Sequence, residues 1–554
     1  IGPGGTAAQY RVGAPIDAVR VMAYLLETRR NWLYGERALP IERHSMLSNG
    51  RTVALVAPDS TVTWLCHPDP DSSAIFADLL GGGSAGLFRV RPAVRDGMPL
   101  GQRYRSGTMT VETRWSGLTI TDWLDRGVPV DDGRTADATT LVRVLSGAVR
   151  ARVEFAPRPE FGQVPVSLQP LGEGLLVLGS NDPICLYSPG VDWEINSDGG
   201  FDRAIAVVDL AAMGGRCVLE LRCGSHSLNP WSETIETRQA RQERCWRDWL
   251  STLKLPTVAR DHVARSALTL RGLIHQPTGS IIAAATSSLP EEMGGVRNWD
   301  YRYCWLRDAA MTARALVDLG SIEPAEEYLS WVDRCIENTG GHPERLHPLY
   351  TVHGLELAPE AVLESLPGYA GSRPVRIGNA ANRQLQLDVF GPVADLIAAV
   401  TRVRGSVLPQ EWRVIEAMVE AVGRRWHEPD HGLWEARLPP RHHVYSKVMC
   451  WLTVDRALRI HKDFGGEFGD RPDWTELRDK IGENVLEHGW NETAGAYSVA
   501  YGHPEMDASS LWIGLSGLLP DEDPRFLATV LAVEAELRSG PTVYRYHWDD
   551  GMPG

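Results

Sequence analysis

The densest run of chemistry-bearing side chains lies between Arg297 and Ala309, which read Arg-Asn-Trp-Asp-Tyr-Arg-Tyr-Cys-Trp-Leu-Arg-Asp-Ala. Trp299, Tyr301, Tyr303 and Trp305 are interleaved there with Asp300, Arg302, Arg307 and Asp308. Aromatic faces stack on the C–H faces of a pyranose, and guanidinium and carboxylate groups take hydroxyls in paired hydrogen bonds, so these residue types suit a sugar pocket. The same residues would also make a helix start with an Arg–Asp salt bridge and a filled core.

A second stretch reads Trp426-His-Glu-Pro-Asp-His-Gly-Leu-Trp-Glu-Ala-Arg437. Pro429 and Gly432 make a turn, and residues 434–437 can run extended, which would set Glu435 and Arg437 on one face. An adjacent indole, Trp434, desolvates a carboxyl and raises its pKa, while a nearby Arg pulls the other way. A carboxylic acid kept neutral in this way is what cleavage of a glycosidic bond requires, together with an ionised carboxylate that activates water from the opposite face. Taken alone, a Glu after a Trp is more often a surface or structural residue. In a third stretch, Arg373 to Asn379 followed by Gln384, Gln386 and Asp388, Arg376 and Asn379 offer planar donors for hydroxyls. The plain alternative is a loop pinned by Arg to carbonyl groups.

The order Asn-Trp-Asp-Tyr-Arg-Tyr-Cys-Trp-Leu-Arg-Asp over residues 298–308 resembles the signature of glycoside hydrolase family 15, which includes glucoamylases and bacterial trehalases. The resemblance implies that Arg307 and Asp308 hold the non-reducing glucose in the innermost subsite, with Trp299, Asp300, Arg302 and Trp305 around them. It implies that Glu435 is the general acid, since Trp-Glu after a Pro-Asp-x-Gly turn carries that residue in the family. Trp434, Arg437 and Lys447, the last within Ser446-Lys-Val-Met-Cys-Trp451, match the same pattern. Arg376, Asn379, Gln386 and Asp388 fall in what resembles the family's second sugar-contacting loop. The general base of the family is a Glu in a Ser-Glu-Glu segment that would follow Gly554. Asp300, Asp308, Asp388, Glu428 and Asp430 do not match it, so the base stays unassigned.

Composition agrees with a small neutral ligand. Net charge is −15, from 56 basic against 71 acidic residues with no polybasic run, which argues against nucleic acid and anionic membrane as partners. Nineteen Trp against nine Phe favours side chains that both stack and donate. The eight Cys are scattered without a Cys-x-x-Cys, so neither a zinc site nor a disulfide scaffold is indicated and a cytoplasmic location is the expectation. His442-His443 and the other His show no metal spacing, and no metal is expected from the residues. The resemblance alone brings phosphate and magnesium dependence and a tendency to form homo-oligomers.

At 554 residues the chain exceeds what one core supports. Residues 1–36 resemble the last strand and helix of a trehalose-6-phosphate phosphatase domain, or form a plain extension or linker. Residues 37–255 carry short alternating runs at 52–57, 61–66, 118–123, 149–155, 175–179 and 204–210, separated by Pro, Gly and Asp clusters, which predict an antiparallel β-sandwich with a structural role. From 256 to 554 helical periodicity predicts helices near 258–277, 303–319, 323–338, 383–404, 408–426, 443–461, 473–488, 507–517 and 523–538. The loops 337–354 and 366–382 are long enough to suggest function. The resemblance makes this region an (α/α)6 barrel, and the predicted helices fall short of closing it, so the sequence reads as stopping in mid-loop.

The expectation that follows is an inverting hydrolase releasing glucose from an α-glucoside. The runs Ser287-Ser-Leu-Pro-Glu291 and Gly378-Asn-Ala380 resemble actinobacterial trehalases. An exo-acting glucoamylase, a disaccharide phosphorylase and a degenerate sugar-binding module are the alternatives.

Overall fold

Short β-branched and apolar runs between residues 45 and 223 pair into two eight-stranded antiparallel sheets in the computed structural model, which describes residues 39–94, 98–126, 138–465 and 469–552. One sheet orders Ser45–Ser48, Val53–Val56, Val62–Cys66, Leu87–Pro92, Arg150–Ala156, Phe201–Asp209 and Glu194–Asp198, with Ala74–Phe76 paired beside Val62–Cys66. The other runs Ser167–Leu171, Gly174–Leu178, Ile184–Tyr187, Arg216–Cys223, Thr139–Gly147, Leu118–Asp125, Val111–Trp115 and Pro99–Tyr104. Phe88, Val153 and Phe155 from the first sheet share one core with Ile120, Leu145 and Leu219 from the second. Arg143 pins the sheets polar-side: it pairs with Asp122 at 2.8 Å within its own sheet and donates to the Phe88 carbonyl of the other at 2.6 Å. The segment that resembles a phosphatase tail lies outside the described residues.

Helix α1, Ile235–Thr252, lies inside the stretch 37–255 expected to be β-sandwich and starts where the Thr234 hydroxyl accepts the amide of Thr237. Its Arg238 reaches Asp125 at 2.7 Å and Glu220 at 2.6 Å on the second sheet, so the connecting helix is fastened to the β domain by buried charge. The helical part continues with α2, Arg260–Gly272; α3, Leu306–Asp318; α4, Glu323–Asn338; α5, Phe390–Arg404; α6, Pro409–Arg425; α7, Val444–Phe464; α8, Pro472–His488; and α9, Pro524–Leu537.

The helix α5 packs against both α3 and α7, while α4 lies against α3, α6 against α7 and α4, and α8 against α7. The reason is visible in composition: α5 and α7 bury residues on nearly every face, whereas α4 and α6 keep apolar stripes and leave a charged side to solvent. Three predicted helices begin differently from expectation. Cys304–Trp305 pairs with Leu349–Tyr350 as a short strand, so α3 starts only at Leu306. Residues 380–389 form 3-10 turns before α5, and 508–515 splits into two short turns capped by Asp507. Among the described residues no helix is long and apolar enough to cross a membrane, and no disulfide joins any two of the eight cysteines.

The β domain supports the helical domain through its 69–72 loop. Asp69 takes His275 at 3.0 Å and His353 at 2.8 Å, and Asp71 accepts the Val352 amide at 2.9 Å. The hairpin that precedes α3 rests on this loop.

Candidate active site

The aromatic and charged run divides between two faces. Asn298–Asp300 is a strand paired with Ser287–Pro290, and Trp299, Tyr301, Trp305 and Arg307 line a cavity of about 300 Å3. The intervening Asp300 and Arg302 point the other way, into the domain junction. Arg302 pairs with both oxygens of Asp300 at 2.9 and 2.7 Å and donates to the Ser72 carbonyl of the β domain at 2.5 Å. The strand Asn298–Asp300 accounts for Trp299 and Asp300 facing opposite ways; beyond it the chain is irregular at 301–303 and helical from Leu306, and Tyr303 does not line the cavity.

Arg307 and Asp308 sit in the first turn of α3, where the positive end of the helix favours the Asp308 carboxylate. Arg307 is buried and donates to Asp388 at 2.5 Å, to the Leu433 carbonyl at 3.4 Å and to Gln386 at 3.4 Å. Burial alone would lower the Arg307 pKa, and the carboxylates of Asp388 and Asp308 more than offset it, so the guanidinium stays charged. Asp308 is half-exposed at the cavity surface, 3.6 Å from Arg307. Behind them Asp430 accepts the Leu387 amide at 3.0 Å and the Ser446 hydroxyl at 2.7 Å, fixing the turn that carries Asp388.

Glu435 lines the same cavity, flanked by Leu433, Trp434 and Arg437. Desolvation is the largest influence on its carboxyl, and together with the charge of Asp308 it outweighs Arg307 and Arg437, leaving the pKa raised to about 7. The extended conformation expected for 434–437 is not what forms. Glu435 lies in a turn at φ 60°, the left-handed region, which costs a non-glycine residue about 1–2 kcal/mol. The turn is enforced from outside: Gly432 at φ 71° packs so closely on His443 that a Cβ would meet its ring at 2.8 Å, and Gln384 donates to the Glu435 carbonyl at 3.2 Å. Glu435 and Arg437 still reach one cavity, because the turn and not alternation brings them there.

The rim is aromatic and cationic. Arg376 and Arg437 lie over the Trp299 ring at 4.4 and 5.2 Å, and Glu360 stands 3.4 Å from one and 3.8 Å from the other. Trp305 lines the cavity, and its indole N–H has no hydrogen-bond partner among the described residues. Glu291, Arg297, Arg545, Tyr546 and Met552 complete the wall and were not among the predicted site residues. Glu291 closes the Ser287–Glu291 run, so its neighbourhood was readable; Arg545 and Tyr546 lie in irregular chain where periodicity is silent.

Several predicted contacts serve the protein itself. Asp300 and Arg302 form the junction pair described above, and Asn379 caps a 3-10 turn while donating to the Asp300 carbonyl at 3.3 Å. Lys447 is buried in α7 and donates to the Trp426 carbonyl at 2.6 Å and to that of Glu428, tying down the chain before Glu435. Gln386, Asp388 and Arg376 stand one layer behind the cavity and orient Arg307 and Trp299. Trp299, Trp305, Arg307, Asp308, Trp434, Glu435 and Arg437 are the predicted residues that meet in one cavity.

Among the described residues no group of three or more His, Cys, Asp or Glu side chains could hold a metal ion. Arg247, Arg260, Asp261 and Arg265 line a separate cavity between residues 106–107 and α2.

The chain resembles known proteins over nearly its whole length. Residues 257–552 match the sequence profile of glycosyl hydrolases family 15, and residues 27–246 match that of the trehalase-like N-terminal domain. Proteins named trehalase from Mycobacterium tuberculosis and Mycolicibacterium smegmatis are each 32% identical, aligning with 93% of this chain and with 79% and 80% of their own lengths. Another of that name, from Thermoplasma volcanium, is 30% identical over 93% of this chain and 82% of its own.

Proposed function

The chain belongs to glycosyl hydrolases family 15, a glycoside hydrolase with a trehalase-like N-terminal domain, and from that premise we propose that it hydrolyses α,α-trehalose to two molecules of glucose. The observation that carries the reading is a carboxyl with a pKa near 7, Glu435, in the same cavity as the Arg307–Asp308 pair. A group of that pKa is poised to deliver a proton to the glycosidic oxygen near neutral pH.

In this reading Asp308 and Arg307 take hydroxyls of the glucose whose bond is broken. Trp299, Trp305 and Trp434 provide faces for the rings, and the unpartnered Trp305 N–H donates to sugar. Glu435 protonates the bond, and a second carboxylate, which the resemblance sets in a Ser-Glu-Glu segment after residue 554, activates water on the far side with inversion. The inner α3, α5 and α7 with the outer α4, α6 and α8 are then part of an (α/α)6 barrel.

Glucose release from α,α-trehalose, maltose and maltooligosaccharides by the full-length protein tests the reading. Faster release from trehalose is expected. Faster release from maltooligosaccharides would replace it with exo-glucosidase activity, and glucose 1-phosphate formed in phosphate buffer would replace it with phosphorolysis.

A further inference from the structure

Outside the cavity, one buried carboxylate touches two of its walls. Asp507 caps the turn Ala508–Leu511: its Oδ1 accepts the Ser509 amide at 2.8 Å and the Ser509 hydroxyl at 2.6 Å. Its Oδ2 accepts the indole N–H of Trp434 at 2.8 Å and of Trp548 at 3.2 Å. All four neighbours donate, which favours the ionised form against the burial that raises its pKa. Asp507 does not line the cavity.

The two indoles lead to the two halves of the wall around Glu435. Trp434 is the residue before Glu435 and lines the cavity itself. Trp548 stacks on Tyr546 with ring centroids 4.4 Å apart, and Tyr546 lies 5.8 Å from Trp434, so the 545–550 segment closes over the same indole. The backbone repeats the connection, with the Ala508 amide on the Arg545 carbonyl at 2.9 Å and the Arg437 amide on the Asp550 carbonyl at 2.8 Å. Glu435 is held in a left-handed turn that its own residue type disfavours, so its placement depends on such outside holds.

We propose that Asp507 is a positioning residue for the acid Glu435: by gripping the Trp434 and Trp548 indoles it keeps the desolvating wall closed against that carboxyl. The inference rests on the reading of Glu435 as the proton donor. Without the grip, Trp434 swings, water reaches Glu435, and the carboxyl ionises at lower pH. The charged and titratable groups facing Glu435 are Arg307, Asp308, Arg437 and Asp388, with Tyr301 near it and Glu291, Arg297, Arg545 and Tyr546 on the same cavity wall; those around Asp507 are His443 and Tyr445, both of which feel the Asp507 charge.

Asp507→Asn separates positioning from folding. With its carbonyl on Ser509 the cap survives, and its amide then opposes two indole N–H donors. In the full-length protein kcat should fall about tenfold with KM little changed. The basic limb of kcat/KM should move down by about half a pH unit or more, because that limb reports ionisation of the acid. Asp507→Ser, which also keeps a cap acceptor, should move it the same way if the Asn variant folds poorly. Trp434→Phe combined with Asp507→Asn should be no worse than Asp507→Asn alone, since both remove one link. A basic limb unmoved in both single variants, or losses that add in the double variant, would overturn the proposal. Glu435→Gln is measured in parallel. If it is inactive while the limb stays put in the Asp507 variants, positioning fails alone; if it is fully active, the acid reading fails and takes the proposal with it.

Discussion

Arg307 and Asp388 lie 81 residues apart in sequence and meet at 2.5 Å beneath the cavity, with Asp388 fully buried. Arg307 faces the sugar pocket and Asp388 does not, so the pair divides its work between binding and folding. Asp388→Ala would leave a buried guanidinium without its counter-charge, and loss of one partner of such a pair costs about 3–5 kcal/mol of stability. Asp308, half-exposed, has no such structural burden. Asp308→Ala is expected to keep the unfolding temperature within a few degrees while kcat/KM falls on the order of a hundredfold, about 3 kcal/mol. Thermal unfolding and kinetics of the two variants check the contrast; near-normal kcat/KM in Asp308→Ala would remove Asp308 from the sugar subsite.

The Asp300–Arg302 pair gives the reverse pattern. It joins the hairpin before α3 to the Ser72 carbonyl of the β domain, and neither residue lines the cavity. Arg302→Met should lower the first unfolding transition in calorimetry, by the same order of energy as other broken buried pairs. KM should change less than in Asp308→Ala. A loss of affinity without loss of stability would return Arg302 to the sugar.

Seven of the sixteen residues that line the cavity were legible, because the run from Trp299 to Asp308 concentrates stacking and hydrogen-bonding groups and because Glu435 follows a Trp after a Pro/Gly turn. The alternation of the strand Asn298–Asp300, which sends Trp299 to the pocket and Asp300 to the junction, was also in the sequence; treating the run as one patch hid it. Other features were out of reach. The left-handed turn at Glu435 is imposed by tertiary contacts, with His443 packed on Gly432 and Gln384, 51 residues away, on the Glu435 carbonyl, and no local pattern announces a Glu at positive φ. Lys447 resembles a site residue by motif but is consumed by the carbonyls of Trp426 and Glu428. The sheets and most helices came through because their periods are local properties; the helix starts at Leu306 and Phe390 did not, because tertiary pairing and turns override propensity there.

The raised pKa of Glu435 has a consequence for stability as well as rate. The folded cavity favours the neutral carboxyl, so the group adds no penalty below its unfolded value of about 4.5. The penalty grows as pH rises above that value and is complete above a folded pKa of about 7. Glu435→Gln removes it. The unfolding temperature of the Gln variant relative to the natural protein should therefore rise between about pH 4.5 and pH 7 and level off above. A difference independent of pH would mean that the carboxyl titrates normally.

The stereochemistry of the first product tests the two-carboxylate mechanism directly. If Glu435 delivers the proton and a base activates water on the opposite face, the two carboxyls must stand about 6.5–9.5 Å apart, and attack inverts the anomeric centre. Hydrolysis of α,α-trehalose should then yield one glucose as the β-anomer and the leaving glucose as the α-anomer, before mutarotation mixes them. Proton NMR in the first minutes of turnover distinguishes the anomers by their C1–H signals. Equal β and α signals at the earliest times fit inversion, whereas α-glucose alone would mean retention, with a carboxylate attacking the sugar from about 5 Å away. In Glu435→Gln the amide keeps the shape and cannot donate the proton, so turnover should fall by orders of magnitude with sugar affinity nearly intact. Full activity of that variant on trehalose would remove Glu435 from the chemistry.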